Sequence, residues 1–311
     1  FPGVRKFADF RVMFDQMGDD IDAVSVVTPD HVHFVQTIEA MRRGKHVYVE
    51  KPLTHSFREA ALLIQAENRY GVVTQMGNQG HTSSGALQFK QLQLAGAIDD
   101  IVKIEAYKGP SLWFMDAAQR INEFPKAEPI PSSLNYDLWC GPAKMMPYSR
   151  RYHPFDWRAF YIYGNGMLGD WGAHIIDFAH NYLKLGLPTR IEPLRLDDYN
   201  QVIFPLSSQI RMQFPKRGAG LPACEILWRD GSDAVPALDQ KYYNSDASGK
   251  LVSPRLGRAG SILHRSDEQF VIHRGSHSSA SRLYPRASMM DYKQALKAPS
   301  GGLDHMQSFI Q

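Results

Sequence analysis

Residues 46–52 read His46-Val47-Tyr48-Val49-Glu50-Lys51-Pro52 and combine a short strand pattern with an abrupt stop. Proline lacks the backbone N–H that would continue a strand ladder, so Lys51 lies where the strand ends. Ligands of open α/β sheets bind in the crevice at the carboxyl ends of the parallel strands. The stretch therefore predicts an α/β sheet with the Lys51 side chain in its ligand crevice.

Strand and helix patterns alternate on both sides of this stretch. The predicted strands span 21–27, 47–50 and 72–76, and the predicted helices span 10–18, 30–44 and 56–71. Asp9 and Asp30 are expected to cap the first two helices, while Ser56 and Glu59 form a capping-box pattern for the third. Crossovers of this length require parallel strands and right-handed connections. The N-terminal part is therefore predicted to be a doubly wound parallel sheet of the Rossmann type.

Polar residues follow each predicted strand. They are Thr28, Asp30, His31 and His33, then Glu50 and Lys51, and then Asn78, Gln79 and His81. Any one of them alone is more simply a helix cap or a solvated side chain. Because the carboxyl ends of parallel strands meet at one edge of the sheet, their convergence predicts a site there.

Composition limits the possible functions. The 311 residues are 43% hydrophobic, which is enough for two ordinary domains. The 35 basic and 32 acidic residues are scattered along the chain, so neither a nucleic-acid partner nor a membrane span is predicted. Cys140 and Cys224 have neither disulfide-framework nor metal-site spacing and are expected to be buried thiols. A small polar ligand fits this composition best.

The alternation stops beyond residue 80. Further strands are predicted over 101–107, 190–196, 208–214, 223–229 and 262–272. Strands without helices between them pair antiparallel, so residues 81–311 are expected to form an α+β domain with a large open, mostly antiparallel sheet. Residues 1–80 would be the remainder of a dinucleotide-binding domain. An uncovered sheet face is a natural interface, so a homo-oligomer, a dimer or a tetramer, is expected.

Two further stretches are ambiguous. The region 109–160 carries aromatic residues that either line a sugar-binding cleft or pack in a core, and they are Trp113, Trp139, Tyr148, Tyr152 and Trp157. Residues 164–169 formally match G-x-G-x-x-G, but they follow the aromatic run 160–163 and have no acidic residue about twenty positions further on at a strand end. These glycines are instead expected to allow a close backbone approach.

A second polar group occurs on a strongly apolar helix predicted over 169–186. Its polar stripe is Asp170, His174, Asp177 and Asn181, at the spacing of one helix face. Such a stripe either faces solvent or lines a cavity on a buried helix. In the second case His174 could take the proton of a secondary hydroxyl, with Asp170 orienting the imidazole. A partly desolvated Lys51 could hold the same hydroxyl.

The chain resembles the Gfo/Idh/MocA family of NAD(P)-dependent sugar and cyclitol oxidoreductases. The residues that carry this resemblance are Thr28-Pro29-Asp30-His31-Val32-His33, Glu50-Lys51-Pro52 and Gly169-Asp170-Trp171-Gly172-Ala173-His174-Ile175-Ile176-Asp177. It implies a Rossmann domain, a second domain with a large open sheet, and hydride transfer with NAD or NADP as cofactor.

The resemblance also implies roles for individual residues. The catalytic positions are Lys51, His174 and Asp170. The cofactor-binding positions are Thr28, Pro29, His33, Glu50, Lys51, Asn78, Gln79, Trp157 and Arg158. The substrate positions are Lys51, His81, Trp157, Asp170 and His174, and no metal is implied.

Two departures from the family pattern concern the ends of the chain. The first strand with its glycine loop is missing, and the chain stops at residues 304–311, where the family would continue. We therefore expect a trimmed fragment with weak dinucleotide affinity. The stretches 78–81 and 152–158 resemble a bacterial subgroup that is often exported with a twin-arginine signal. A soluble protein of the bacterial periplasm or cytoplasm is expected.

Three functions are compatible with the sequence. The first is a dehydrogenase that acts on a secondary hydroxyl of a sugar, glycoside or cyclitol. The second is a glycoside hydrolase that keeps NAD bound and uses transient oxidation. The third is a sugar-binding protein without catalysis, since a fold alone does not establish an activity. Lys51 and His174 favour the two enzymes, because a binding protein needs no base.

Overall fold

The computed structural model describes residues 2–110, 112–113, 120–245, 247–277, 279–285, 288–297 and 304–311. The helices are α1 (Phe10–Met17), α2 (Asp30–Arg42), α3 (Phe57–Tyr70), α4 (Ser84–Leu94), α5 (Tyr136–Cys140), α6 (Ala173–Tyr182), α7 (Ser288–Asp291) and α8 (His305–Ile310). The strands are β1 (Ala23–Val26), β2 (His46–Glu50), β3 (Thr74–Gly77), β4 (Ile101–Lys108), β5 (Arg190–Asp197), β6 (Ser207–Phe214), β7 (Cys224–Asp230), β8 (Asn244–Ser245), β9 (Leu251–Val252), β10 (Ala259–Arg265), β11 (Phe270–Arg274) and β12 (Arg282–Tyr284).

The chain forms two compact units. The first contains residues 1–77, 123–166 and 309–311, and the second contains residues 78–122 and 167–308. The predicted boundary near residue 80 is close to the first passage between the units. Residues 123–166, however, return to the first unit, so neither unit is one continuous stretch of chain.

The first unit contains the predicted parallel sheet, in the order β1-β2-β3. Helices α2 and α3 supply the crossovers and pack against each other. Val47 and Val49 are fully buried and share one core cluster with Phe14 and Met41. Burying such a side chain contributes about 1.5–3 kcal/mol, so this core holds the sheet to its helices. The parallel Rossmann-type sheet is confirmed.

Helix ends in the first unit follow local sequence signals. The Asp9 side chain accepts a hydrogen bond from the Arg11 backbone N–H and caps α1. Ser56 and Glu59 form the predicted capping box of α3, which ends at Gly71 in the left-handed conformation. The expected cap of α2 is wrong: Pro29 is the N-cap and Asp30 is the first helical residue. An acidic residue there still interacts favourably with the helix dipole.

The segment 123–166 packs around His31, at the start of α2. The His31 ring lies 2.8 Å from the Trp139 carbonyl oxygen and 3.1 Å from that of Tyr163. Burial lowers the pKa of His31 to about 4, although the two carbonyl oxygens act in the opposite direction. Tyr152 and Trp157 are 0% and 4% exposed. These aromatic residues therefore form a core, as the second of the two interpretations predicted.

The second unit is built on a sheet of seven strands in the order β12-β11-β10-β4-β7-β6-β5. All neighbouring strands pair antiparallel except β4 and β7, which are parallel. The mostly antiparallel sheet is confirmed. The single strand predicted over 262–272 is wrong: β10 and β11 form a hairpin around a turn at residues 266–269.

One face of this sheet packs against α6 and the turn before it. Trp228 on β7 is fully buried, and a Cβ on Gly172 would lie 3.6 Å from its ring. The strand register places Ala106 beside Trp228 and therefore on the same face. The alternation of strand side chains then puts Glu105 and Tyr107 on the opposite face, here called the outer face.

The outer face is only partly uncovered. Its apolar half, around Tyr107, Ile262 and Phe270, is covered by four apolar residues of the same chain, which are Ala234, Leu238, Tyr242 and Leu256. The Tyr107 hydroxyl donates a hydrogen bond of 2.9 Å to the Leu256 carbonyl oxygen. The rest of the outer face is polar.

Glu105 is the centre of the polar half of the outer face. Its carboxylate lies 3.2 Å from the Lys103 ammonium, 3.3 Å from the Arg229 guanidinium and 3.0 Å from His264 Nε2. Burial raises the pKa of Glu105, but the adjacent His264, Lys103 and Arg229 outweigh it and hold this pKa at about 2. Arg211 forms a second group with Glu225 at 2.9 Å and Glu192 at 3.7 Å. The charges on this surface are paired.

Arg217 joins three parts of the second unit. The residue is 7% exposed, and its guanidinium donates hydrogen bonds to four backbone carbonyl oxygens, those of Asp99, Ile101, Leu183 and Pro222. Burial lowers its pKa. The arginine thereby connects the start of β4, the end of α6 and the loop before β7.

Within the part of the chain that the structure describes, no helix combines the length and the apolar character needed to cross a bilayer.

Candidate functional site

In the first unit, His33 joins the ends of β1 and β2. Its Nε2 lies 2.6 Å from the Thr28 carbonyl oxygen, and its Nδ1 lies 2.7 Å from that of Pro52. Burial lowers the pKa of His33, while these two carbonyl oxygens raise it. Glu50 and Lys51 are close enough to influence this pKa electrostatically. The predicted cofactor residues around Lys51 therefore lie at one edge of the parallel sheet.

Glu50 is accommodated by a glycine on the neighbouring strand. A Cβ on Gly77 would lie 2.9 Å from Glu50 Oε1 and 2.8 Å from the Tyr48 ring, so a larger residue would displace the carboxylate. A carboxylate, an ammonium and the Thr28 hydroxyl at strand ends can bind ribose hydroxyls and an amide group. This donor and acceptor set fits the sugar and nicotinamide portions of a dinucleotide.

Trp157 and Arg158 lie in the segment 123–166. The Arg158 guanidinium stacks 4.2 Å above the Trp157 ring, which also packs edge-on against His31. A Cβ on Gly164 would lie 2.5 Å from the Arg158 backbone, which confirms the close approach expected of this glycine. Contact of Trp157 or Arg158 with cofactor or substrate stays a prediction.

In the second unit, His174 lies at the start of α6 and Asp170 lies in the turn before it. Residues Leu168–Gly172 form a π-helical turn, and regular helix begins only at Ala173. The predicted stripe is therefore not one continuous α-helical face. Asn181 is exposed, but His174 is 6% exposed, so the solvent-facing interpretation is wrong for the histidine. Single π turns occur frequently at functional sites.

Asn78 and His277 contact the His174 ring. The Asn78 Oδ1 atom lies 2.6 Å from His174 Nδ1, and its Nδ2 donates a hydrogen bond of 2.9 Å to the Ala173 carbonyl oxygen. The His277 ring, from the loop between β11 and β12, lies 4.6 Å from the His174 ring, centroid to centroid. Backbone packing brings this loop close, since a Cβ on Gly80 would lie 3.0 Å from His277 Cα.

His81 pairs with the next acidic residue on α6. Its Nδ1 lies 2.7 Å from Asp177 Oδ2, and its ring stacks on Tyr182 with 6.3 Å between centroids. The Asp177 hydrogen bond raises the pKa of His81, and burial opposes this shift. Asn78 is the N-cap of the short 3-10 turn Gln79–Thr82, and His81 lies within that turn. Both thus contact polar residues of α6.

Lys108 is a polar group that the sequence reasoning missed. It ends β4, is 6% exposed, donates a hydrogen bond of 2.7 Å to the Pro110 carbonyl oxygen and lies 4.4 Å from the Trp171 ring. Burial lowers its pKa, and the charges of Asp230 and Asp170 raise it. Like Lys51, Lys108 follows a β-rich run, which is the signal that could have identified it. His277 has no comparable signal, because it lies in the loop that joins the antiparallel strands β11 and β12.

The predicted residues therefore form two groups. Thr28, Pro29, His33, Glu50, Lys51, Trp157 and Arg158 belong to the first unit, and Asn78, Gln79, His81, Asp170 and His174 belong to the second. A meeting of Lys51 with His174 at one substrate carbon stays a prediction. Among the described residues, no cluster of three or more histidine, cysteine or acidic side chains is arranged to hold a metal ion.

Two family models match the chain, one in each part. Residues 1–78 match a model described as "Oxidoreductase family, NAD-binding Rossmann fold". Residues 102–192 match a model described as "Oxidoreductase family, C-terminal alpha/beta domain". The order of the two matches is that of the sheets described above.

Curated proteins and solved structures add further similarities. The chain is 31% identical over 101 residues to scyllo-inositol 2-dehydrogenase (NADP(+)) of Bacillus subtilis, covering 31% of this chain and 28% of that protein. It is 28% identical over 176 residues to levoglucosan dehydrogenase of Pseudarthrobacter phenanthrenivorans, covering 55% and 35%. The chain thus spans about a third of the length of these relatives. Aldose-aldose oxidoreductase from Caulobacter crescentus has a similar fold, with a TM-score of 0.53, 16% identity and coverage of 88% and 64%.

Proposed function

Because the chain belongs to the Gfo/Idh/MocA family of oxidoreductases, we propose that it transfers hydride between NAD or NADP and a secondary hydroxyl carbon of a sugar, glycoside or cyclitol. The observation that carries the proposal is the nearly complete burial of His174, four residues after Asp170 at a π-helical turn. The relatives named for inositol and levoglucosan support a polyol or sugar as substrate.

The residues of this chain have distinct tasks in the proposed reaction. The nicotinamide, when bound, accepts or supplies the hydride. Thr28, Glu50 and the ends of β1 and β2, which His33 joins, would hold the nucleotide. His174 takes the hydroxyl proton, because imidazole titrates near neutral pH. The Asp170 carboxylate binds a neighbouring hydroxyl, and the Lys51 ammonium stabilises negative charge that develops on the reacting oxygen.

The proposal can be tested by identifying the nucleotide and the substrate together. The full-length gene product is denatured, any released dinucleotide is identified, and a panel of glycosides and cyclitols is assayed with and without added NAD or NADP. We expect the cofactor to be reduced in the presence of one class of substrate. Cleavage of a glycoside while the bound NAD stays oxidised would instead indicate the hydrolase. If the full-length gene product releases no nucleotide and shows no turnover, both enzyme proposals are contradicted and a binding protein is favoured.

We also propose that the polar half of the outer face binds a second copy of this chain. Its ion pairs around Glu105 and Arg211 already satisfy one another, so burying them costs less than burying single charges. The apolar half is covered by the chain itself, which leaves the polar half for association.

Added like charge on this face is expected to weaken the association. The register places Gln209 beside Arg229 and Gln213 beside Glu225, on the outer face. The double variant Gln209→Glu/Gln213→Glu adds two negative charges to each copy of this face. An association that brings two such faces together should then dissociate at least tenfold more readily, since like charges in contact cost several kcal/mol. Sedimentation velocity measures this, with the pair Gln16→Glu/Gln65→Glu, exposed on two helices of the first unit, as control. Equal dissociation constants for the two variants would contradict the proposed interface.

A further inference from the structure

We infer that Asn78 is a positioning residue that keeps the proton of His174 on Nδ1 and the lone pair on Nε2. This inference rests on the proposed function, in which His174 is the base. The position of the proton can nevertheless be measured without any catalysis. The family resemblance assigned Asn78 only to the cofactor, so this role is a separate one.

The orientation of the Asn78 amide follows from its two contacts. The Ala173 carbonyl oxygen can only accept a hydrogen bond, so the group that faces it at 2.9 Å must be the amide NH2. The amide oxygen then faces His174 Nδ1 at 2.6 Å. Because Asn78 is 2% exposed, the protein holds the amide in this orientation.

The amide oxygen determines which ring nitrogen of His174 is protonated. An oxygen that only accepts requires an N–H at Nδ1, so the lone pair of the neutral ring must be on Nε2. Without this partner the neutral ring can adopt either tautomer, and one of them has no base at Nε2. When Nε2 takes up the substrate proton, the Nδ1 proton stays hydrogen-bonded to Asn78. The proton that leaves the imidazolium afterwards is therefore the one on Nε2, and Nε2 becomes the base again.

A neutral partner also suits a base that must lose its proton again. A carboxylate in place of Asn78 would stabilise the imidazolium and raise the pKa of His174. The other titratable groups around this ring in the second unit are His277, which lies over it, and Asp170 and Asp177 on the same helix. His81, paired with Asp177, is on the same short turn as Asn78.

Two variants of Asn78 separate positioning from packing. Asn78→Asp keeps the shape and adds a charge, and it should move the acidic limb of the pH profile of kcat/KM upward by roughly one to three units. Asn78→Leu keeps most of the volume and removes the acceptor. It should lower kcat about 10–100-fold with little change in KM, a loss of the size found when a metal-bound histidine loses its hydrogen-bond partner. The controls are Asn68→Asp and Asn68→Leu, at an exposed amide of α3.

The direct measurement is the nitrogen NMR spectrum of histidine-labelled protein, with His174→Gln identifying the signals. We expect the neutral His174 of the wild type to carry its proton on Nδ1, and the Asn78→Leu variant to show the Nε2 proton. A wild-type ring protonated on Nε2 would overturn the inference even if no variant folds. An unmoved pH profile in folded Asn78→Asp would also overturn it. Absence of dehydrogenase activity would refute the proposed function, and the NMR result would still decide this inference.

Discussion

Replacing Lys51 by alanine or His174 by asparagine is expected to lower kcat/KM by about 10²–10⁴-fold in each case, the range found when a proton-transfer group is removed. The Lys51→Ala variant lacks the cation at the reacting oxygen, and the His174→Asn variant lacks the base. Dinucleotide affinity should change much less than turnover in the His174→Asn variant, because this residue belongs to the second unit and the predicted nucleotide residues lie mainly in the first.

The double variant shows whether the two residues act together. If Lys51 and His174 act on one hydroxyl, Lys51→Ala/His174→Asn should be little worse than the poorer single variant, since residues that act as a unit are not additive. Matched controls are Lys45→Ala, just before the other end of β2, and His180→Asn, further along α6. If the losses of the two single variants multiply in the double variant, Lys51 and His174 act separately. Undiminished turnover of Lys51→Ala would refute the proposed chemistry.

Replacing Arg217 by methionine is expected to destabilise the second unit by about 3–5 kcal/mol. Methionine fills much of the volume but donates no hydrogen bond, so the four carbonyl oxygens that Arg217 contacts lose a donor in a buried place. Relief of the buried charge offsets only part of this loss.

Urea unfolding of Arg217→Met measures this loss, followed by a probe in the second unit such as the fluorescence of Trp228. Arg282→Met, at an exposed position on β12, removes the same charge and should change stability by no more than about 0.5 kcal/mol. A difference between the two variants of less than 1 kcal/mol, on the order of one ordinary hydrogen bond, would mean that the carbonyl oxygens find other donors.

Local signals predicted the first unit well. The capping box at Ser56 and Glu59 and the arrest of β2 before Lys51 depend on residues close in the sequence, and both are present. The hairpin within 262–272 was missed because its turn, Ser266-Asp267-Glu268-Gln269, contains neither glycine nor proline. Glu268 adopts the left-handed conformation there, which sequence patterns rarely assign to glutamate.

The parts that sequence reasoning missed depend on long-range contacts. No local pattern pairs β4 with β7 in parallel, because their registry is set by strands that are far apart in the chain. The same holds for Asn78 and His174, which are 96 residues apart. The polar character of both residues marked them as candidates, but only the fold shows that they contact each other.

The division of the first unit into separate stretches has a consequence for biosynthesis. The chain passes between the units four times, after residues 77, 122, 166 and 308. His31 leaves the ribosome 132 residues before Tyr163, whose carbonyl oxygen it contacts. At about 5–20 residues per second, this corresponds to a delay of roughly 7 to 26 seconds. During that time the start of α2, including Val32, lacks the segment that covers it, and is a place where a chaperone can bind the nascent chain.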